Sequence, residues 1–466
     1  MRLAAAGCIT GIFLWCGCAV GPNYKRPAVP VPAAYRGAPA AAADGSIADK
    51  KWAELFGDET LNRLIGSALE RNFDLRMAAE RVQEARAQFG ITRAQQFPFV
   101  DVQAGYTAAR SSSIGSFRFI QRGTDLSASY AQAGIAVSWE LDLWGRLRRL
   151  SEAARADFLA TEEARRGVVV SLVADVASSY FQLMELELEL EISRETRDTA
   201  ADSLRLVKLR RERGAASGLD VSQAEQLLYT ATAEIEAVER GIGQTENAIS
   251  LLLGGPPADQ PRAARLPDIP VPPQLPPGLP SALLERRPDV RQAEQNLIAA
   301  NAQIGAARAL YFPQISLTAF DGGQSRALTQ LATGPARLAN VGPSVTIPIF
   351  HAGQIRNQVR LSEGRKRELV LAYERAIDTA LREVSDALIE DLRTRGQRSQ
   401  QEALVRSLQD AVRLSTLRYQ GGLDSYLQVL DAQRNLFTGE LGLARLRLEE
   451  RLSVVHIYRA LGGGWQ

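Results

Sequence analysis

The two halves of the chain repeat one another. Residues 69–98 recur at 284–313, at a constant offset of 215 residues and without a gap, and both copies end in Phe-Pro. Further segments recur in the same order: 143–147 with 349–355, Gly218-Leu219-Asp220 with Gly422-Leu423-Asp424, and 253–255 with 461–463. Because ordered repeats of this kind are hard to obtain by chance, each half should fold as one copy of the same unit.

Prolines mark the boundaries of these units. Of 21 prolines, five lie in residues 22–39 and eleven in residues 256–288. Such clusters are typical of extended linkers, the first of them partly disordered. The predicted layout is a signal peptide over 1–17, a lipid-anchored extended leader over 18–57, a first repeat over 58–255, a Pro-rich linker over 256–280 and a second repeat over 281–466.

Long stretches without proline predict unusually long helices. Residues 145–212 contain no proline, and at 1.5 Å per residue a continuous helix of that length spans about 100 Å. Residues 353–419 predict a second helix of nearly the same length. Each turns at a Gly-rich corner, at 214–218 or 421–422, and returns through an antiparallel helix. Helices this long cannot bury themselves in one globule, and their apolar residues alternate at spacings of three and four, as in coiled coils.

Four segments alternate apolar and polar residues and predict β-strands. Their length of about ten residues suits a tilted transmembrane strand, although a half-buried soluble sheet would alternate in the same way. In lipid a sheet cannot leave its edges unpaired, and four strands cannot close a barrel alone. Two chains would pool eight strands around a filled interior, whereas three would pool twelve around a pore. The predicted strands are 99–109, 132–143, 314–321 and 341–350.

The N-terminus predicts export. Arg2 precedes an apolar stretch over residues 3–17, which is too short to span a bilayer. Gly17-Cys18 resembles the end of a bacterial lipoprotein box, in which Cys18 would be acylated and become the first residue of the mature protein. Leu14 stands one place early for such a box, and Trp15-Cys16 are bulky for their positions. An ordinary signal peptide with an incidental cysteine is the alternative.

Composition argues against most kinds of catalytic or metal site. The three cysteines lie within the first 18 residues, and the chain has two histidines, so neither a zinc cluster nor a catalytic triad is expected. A net charge of +2 does not suggest nucleic-acid binding. No cofactor or metal is predicted, and the protein is not expected to be an enzyme. Three methionines do not form a soft-ligand cluster for copper or silver.

Several motifs together resemble the TolC-like outer-membrane factor family, in its lipoprotein branch that serves resistance-nodulation-division (RND) efflux pumps. They lie at residues 18–27 (CAVGPNYKRP), 139–146 (WELDLWGR), 286–294 (RRPDVRQAE), 419–424 (YQGGLD) and 430–434 (LDAQR). The resemblance implies a mainly α fold with transmembrane β-strands, in which a homotrimer forms a 12-stranded barrel and an α-helical tunnel. It also implies an outer-membrane location, a periplasmic adaptor and an inner-membrane RND transporter as partners, and passive export of drugs or other small toxic compounds.

The resemblance further places a periplasmic gate near the second corner. Leu427, Asp431 and Arg434 lie at spacings of four and three, on one helical face. One family member carries an additional acidic residue where this chain has Gln428, so a second acidic ring is not expected. Spacing alone favours a solvated coiled-coil charge for Asp431, and only the resemblance favours the gate. The hairpin tips implied to dock the adaptor are Gly214, Gly218, Leu219, Asp220, Gly421, Gly422, Leu423 and Asp424.

A second class of function is the alternative to the channel. A periplasmic coiled-coil adaptor or scaffold also has long helical hairpins and an export signal. Proteins of that class lack two hairpin units that are each flanked by a pair of alternating strands, so the duplicated strand pairs favour the channel.

Overall fold

The computed structural model describes residues 19–38, 46–49, 52–110, 112, 127–262, 265–269, 271 and 277–463. The predicted signal peptide and acylation site at Cys18 therefore lie outside the described residues. Within them the chain is mainly helical with one antiparallel sheet. In chain order the elements are α1 (Trp52–Phe56), α2 (Glu59–Arg71), α3 (Phe73–Ala94), β1 (Phe99–Arg110), β2 (Ser127–Leu141), α4 (Arg146–Glu212), α5 (Gly218–Leu252), α6 (Leu283–Arg286), α7 (Pro288–Ala309), β3 (Gln314–Ser325), β4 (Arg337–Thr346), α8 (Gln354–Gln420) and α9 (Tyr426–Ala460).

The two halves have matching elements. Helices α4 and α8 each contain 67 residues, and α5 and α9 each contain 35. Glycines with positive φ recur at matching places, 208 residues apart; the pairs are Gly145 with Gly353, Gly214 with Gly422, and Gly254 with Gly462. The duplication predicted from the sequence is therefore present in the backbone.

One pairing inferred from the sequence is wrong. Gly422 corresponds to Gly214 rather than to Gly218, because both are left-handed glycines that follow the end of a long helix. Gly218 is instead the first residue of α5, directly after its N-cap Ser217, and Ser425 is the matching N-cap of α9. The two Gly-Leu-Asp tripeptides are therefore displaced by four residues from one another when the repeats are aligned.

The sheet is an antiparallel meander in the order β1-β2-β3-β4. Its register aligns Val102 with Ile135, Val137 with Ala319, and Ile315 with Val345, so apolar residues of successive strands share one face. The other face carries mainly polar and small residues, among them Asp101, Gln103, Ser138, Ser316, Thr318 and Ser344.

Three strands differ from the predicted ranges by four or five residues. β3 continues four residues beyond its predicted end, to Ser325, which still pairs with Ala131 of β2. β2 begins five residues earlier than predicted and ends at Leu141, because Asp142 accepts hydrogen bonds from the first backbone amides of α4. β4 begins and ends four residues earlier than predicted. Its Thr346 pairs with Gln314, the first residue of β3, so residues 347–350 have no partner on that strand.

The chain forms two compact units. The first comprises residues 19–27, the described residues of 83–160, and residues 294–372, and it contains the sheet. In it Ala153 and Ala156 of α4 pack on Ala299 and Ala302 of α7, and these small side chains allow the helices to approach closely.

The second unit comprises residues 28–82, 161–293 and 373–466 and contains the helical corners. Buried apolar side chains of α4 and α5, including Leu183, Val238 and Ile249, form one of its cores. Arg451 of α9 donates hydrogen bonds to the carbonyl oxygens of Leu266 and Ile269, so this part of the Pro-rich linker is fixed to the helices.

Candidate functional site: the exposed sheet and the hairpin corners

The apolar face of the sheet is exposed in the single chain. Val102 is 82% exposed, Val341 75% and Tyr106 68%, and Ile135 and Val345 are also exposed. A soluble antiparallel sheet buries its apolar face and exposes its polar one. An apolar face that is left exposed suits a sheet that contacts lipid on that side.

The sheet also has two unpaired edges. β1 pairs with β2 alone and β4 with β3 alone among the described strands. Each unpaired backbone group costs several kcal/mol in hydrocarbon, so edges of a membrane sheet need further strands. The described part of one chain does not supply them.

Two tryptophans near the end of β2 donate hydrogen bonds to residues that follow α3 and α7. Trp139 Nε1 donates to the carbonyl oxygen of Gln96 at 3.0 Å, and Trp144 Nε1 donates to that of Pro313 at 2.8 Å. The Trp144 ring stacks on Phe312 with 4.8 Å between ring centres. The WELDLWGR motif thus links the end of β2 and the turn after it to the residues that follow α3 and α7.

The first corner connects α4 to α5. Gly214 has a φ of +76°, which a residue without a Cβ adopts at little cost. Ser217 and Asp220 then form a reciprocal capping box at the start of α5. Asp220 is therefore explained by helix capping, whereas Leu219 is 66% exposed.

The second corner connects α8 to α9. Arg418 and Asp424 form an ion pair of 2.6 Å across Gly421 and Gly422. Hydrogen bonds from Arg418 hold the pKa of Asp424 below its usual value. Leu423, at the tip of this corner, is 71% exposed. Both corners thus present an exposed leucine beside a structured turn.

The two corners are packed together in the second unit. A shared core contains Val207 of α4, Val221 of α5, Tyr419 of α8 and Tyr426 of α9, and the two tyrosine rings meet edge to face at 5.4 Å. Arg210 lies over the ring of Tyr419. Arg210 is not predicted as a contact residue from the sequence, because its partner lies 209 residues away.

The three predicted gate residues share an exposed face of α9. Leu427, Asp431 and Arg434 are exposed, while Tyr426, Val429, Leu430 and Gln433 on the opposite face are buried. Arg434 Nη2 lies 3.2 Å from Asp431 Oδ1, and Asn435 Nδ2 donates to Asp431 Oδ2 at 3.1 Å. Asn435 is not among the residues predicted from the sequence, although its spacing of four from Asp431 is the usual signal for such a contact.

A buried acidic pair lies on α4 in the second unit. Glu185 and Glu189 are one turn apart, and Arg445 of α9 lies 3.0 Å from Glu189. Burial raises the pKa of Glu185 to about 8, and the charge and hydrogen bond of Glu189 act in the same direction, against the opposing effect of Arg445. Among the described residues no group of three or more His, Cys, Asp or Glu is arranged to hold a metal ion.

Comparison with known proteins gives a consistent result. Residues 64–255 and 279–463 match the family model described as outer membrane efflux protein. The chain is 40% identical over 455 residues to the solvent efflux pump outer membrane protein SrpC of Pseudomonas putida, with 96% of each chain covered. It is 37% identical over 457 residues to the cation efflux system protein CusC of Escherichia coli O6:H1, with 97% of this chain and 96% of the relative covered.

A solved structure agrees over nearly the whole chain. The open state of the MtrE outer membrane channel of Neisseria gonorrhoeae superposes with a TM-score of 0.86 at 31% identity, covering 96% of this chain and 99% of that one. Both matched segments of the family model correspond to the two repeats.

Proposed function

The chain belongs to the outer membrane efflux protein family, and from this premise we propose that three copies form a passive exit duct through the outer membrane. The observation that carries the proposal is the four-stranded sheet with an exposed apolar face and two unpaired edges. Three copies pool twelve strands, close every edge and leave a pore, while the paired long helices continue the duct in the periplasm. A coiled-coil adaptor or scaffold gives no reason for such a sheet.

The duct works as the last component of a tripartite pump. Energy for export comes from an inner-membrane RND transporter, joined to the duct through a periplasmic adaptor. Small toxic organic compounds are the proposed cargo. The relatives are named for solvents and for cations. With only three methionines the chain has no cluster of soft ligands for copper or silver, which favours the organic class of cargo.

The hairpin corners are the proposed docking site for the adaptor. Leu219 and Leu423 are exposed next to fixed turns made by Gly214, Gly218 and Asp220 at one corner and Gly421, Gly422 and Asp424 at the other. Exposed apolar side chains on rigid turns suit a protein partner, because little side-chain or backbone freedom is lost on binding.

Asp431 and Arg434 are the proposed gate. In a trimer each would be repeated three times around the axis, and Leu427 would add an apolar ring. The Asp431 carboxylate already receives hydrogen bonds from Arg434 and Asn435 within one chain. Acylation of Cys18 is proposed as the additional membrane anchor, with two or more acyl chains needed for stable attachment.

The function is tested by deletion and by reconstitution. A strain without the gene should accumulate an exported dye or solvent and regain efflux when the gene is restored. Purified protein should migrate as a trimer and insert into planar bilayers as a channel. A soluble monomer without channel activity, in a strain whose efflux is unchanged by the deletion, would overturn the proposal.

A further inference from the structure

The segment directly after Cys18 is built into the first unit. Residues 19–27 lie in a groove to which both repeats contribute. At its start, the Val20 amide donates to the carbonyl oxygen of Trp144 at 3.0 Å. Arg149, buried near the start of α4, donates to Asn23 Oδ1 at 2.8 Å and to the carbonyl oxygens of Val20 and Gly21.

The second repeat holds the other end of the segment. Arg26 donates two hydrogen bonds of 2.6 Å to the two oxygens of Glu294, and Tyr24 donates to the same carboxylate at 3.1 Å. Glu294 is largely buried, whereas Arg26 is partly exposed. Two-point pairing of a guanidinium with a carboxylate fixes both groups in orientation as well as distance.

Backbone packing in the groove requires two glycines. A Cβ at Gly305 would lie 2.7 Å from the carbonyl oxygen of Val20, and a Cβ at Gly145 would lie 2.7 Å from the Cβ of Ala19. Asn301 of α7, which is fully buried, donates to the carbonyl oxygen of Pro22 at 2.9 Å. The groove is thus shaped for this peptide and not merely covered by it.

We propose that residues 19–27 are a docking strap that joins the two repeats and holds the N-terminal anchor beside the turn between β2 and α4. If the strap left its groove, the Glu294 carboxylate would lose its hydrogen bonds from Arg26 and Tyr24, and the Asn301 amide would lose its bond to the Pro22 carbonyl oxygen. The part of the inference that concerns the anchor rests on the proposed acylation of Cys18; docking of the strap does not.

A spin label on Lys25 tests the strap. Lys25 is exposed, and the three cysteines of the chain lie at positions 8, 16 and 18, so Lys25→Cys offers a single thiol once the signal peptide is removed and Cys18 is acylated. Mass spectrometry of the labelled peptide identifies the label site. The electron paramagnetic resonance spectrum of the intact protein in detergent is expected to be broad, as for a restrained label.

Release of the strap should change that spectrum. Glu294→Ala and, separately, Arg26→Ala in the labelled protein should each add a narrow, mobile component. Glu363→Ala is the matched control, because it removes a carboxylate that pairs at 2.7 Å with Arg308 in the same unit without contacting the strap. Its spectrum should equal that of the labelled parent. Arg26→Ala changes a partly exposed residue, so it tests the strap even where Glu294→Ala reduces the yield of folded protein.

Two outcomes would overturn the strap. One is a mobile label in the parent protein, and the other is an unchanged spectrum in both strap variants. The spectra report on the isolated protein whether or not it conducts, so they separate failure of the strap from failure of the proposed channel function, which the bilayer and efflux measurements test.

Discussion

Arg210 and Tyr419 join the two hairpin corners of the chain. The Arg210 guanidinium carbon lies 4.5 Å from the centre of the Tyr419 ring, and Nη1 donates to the Tyr419 carbonyl oxygen at 3.3 Å. The contact connects the end of α4 in the first repeat with the end of α8 in the second, where no backbone link exists. It therefore acts on the separation of the corners and not on the folding of either hairpin.

Arg210→Ala should loosen the corners. A partly exposed cation–π contact with a hydrogen bond contributes about 1–2 kcal/mol, which corresponds to an increase of about tenfold in the population of separated corners. Hydrogen exchange of the backbone amides around residues 419–426 should accelerate accordingly. Arg205→Ala is the control, since Arg205 pairs with Asp202 on its own helix. Equal exchange in both variants would contradict a role for Arg210.

Gly422→Ala should destabilise the second corner, and Gly421→Ala should not. No atom lies within 4 Å of a Cβ at position 422, so the cost is that of a left-handed backbone, about 1–2 kcal/mol. Gly421 has no positive φ and an alanine there makes ordinary contacts. Limited trypsin digestion should cut faster at Arg418 in the first variant. Equal cutting of the two variants would mean that φ at position 422 is not the constraint.

The sequence predicted the repeats, the long helices and the strands, because these depend on periodicity and on proline placement. The alignment of the two repeats was wrong at the corners, because Gly218-Leu219-Asp220 and Gly422-Leu423-Asp424 have the same residue types but not the same backbone conformation. Contacts such as Arg26 with Glu294, 268 residues apart, follow from the tertiary arrangement and leave no local pattern. For this reason the sequence predicts residues 19–27 only as part of an extended leader, whereas in the structure they lie in a groove.

Arg451→Met should release part of the Pro-rich linker. The substitution removes the donors to the carbonyl oxygens of Leu266 and Ile269, which are then left without these hydrogen bonds. A loss of about 2–4 kcal/mol is expected for two buried bonds from a charged donor. Trypsin should then cut more readily after Arg262 and Arg265. Arg459→Met, at a half-exposed arginine of the same helix, should leave this cutting at the wild-type rate.

The raised pKa of Glu185 predicts that the stability of the folded protein falls as pH rises. Its pKa is raised from an ordinary 4.5 to about 8, so between these values the folded protein holds a proton that the unfolded chain has released. Stability is then greatest below about pH 4.5 for this group and decreases until the pH passes 8. Glu185→Gln should remove this loss, so that its unfolding temperature at pH 8 exceeds that of wild type. Glu236→Gln, at an exposed carboxylate, is the control; the same gain there would show a general charge effect.

The gate proposal predicts that Asp431→Ala and Arg434→Ala raise single-channel conductance in planar bilayers. An exposed ion pair contributes about 0.2–1 kcal/mol, so each variant should increase the open population by about 1.5- to 5-fold, and more if the pairs also form between chains. Asp410 and Arg413 provide a matched control, because they form an exposed pair at the same spacing on α8 at 3.1 Å. Asp410→Ala should conduct like wild type. If both gate variants also conduct like wild type, Asp431 is a solvated helix charge; if Asp410→Ala conducts as they do, any loss of charge in the tunnel opens it, and the gate does not reside at Asp431.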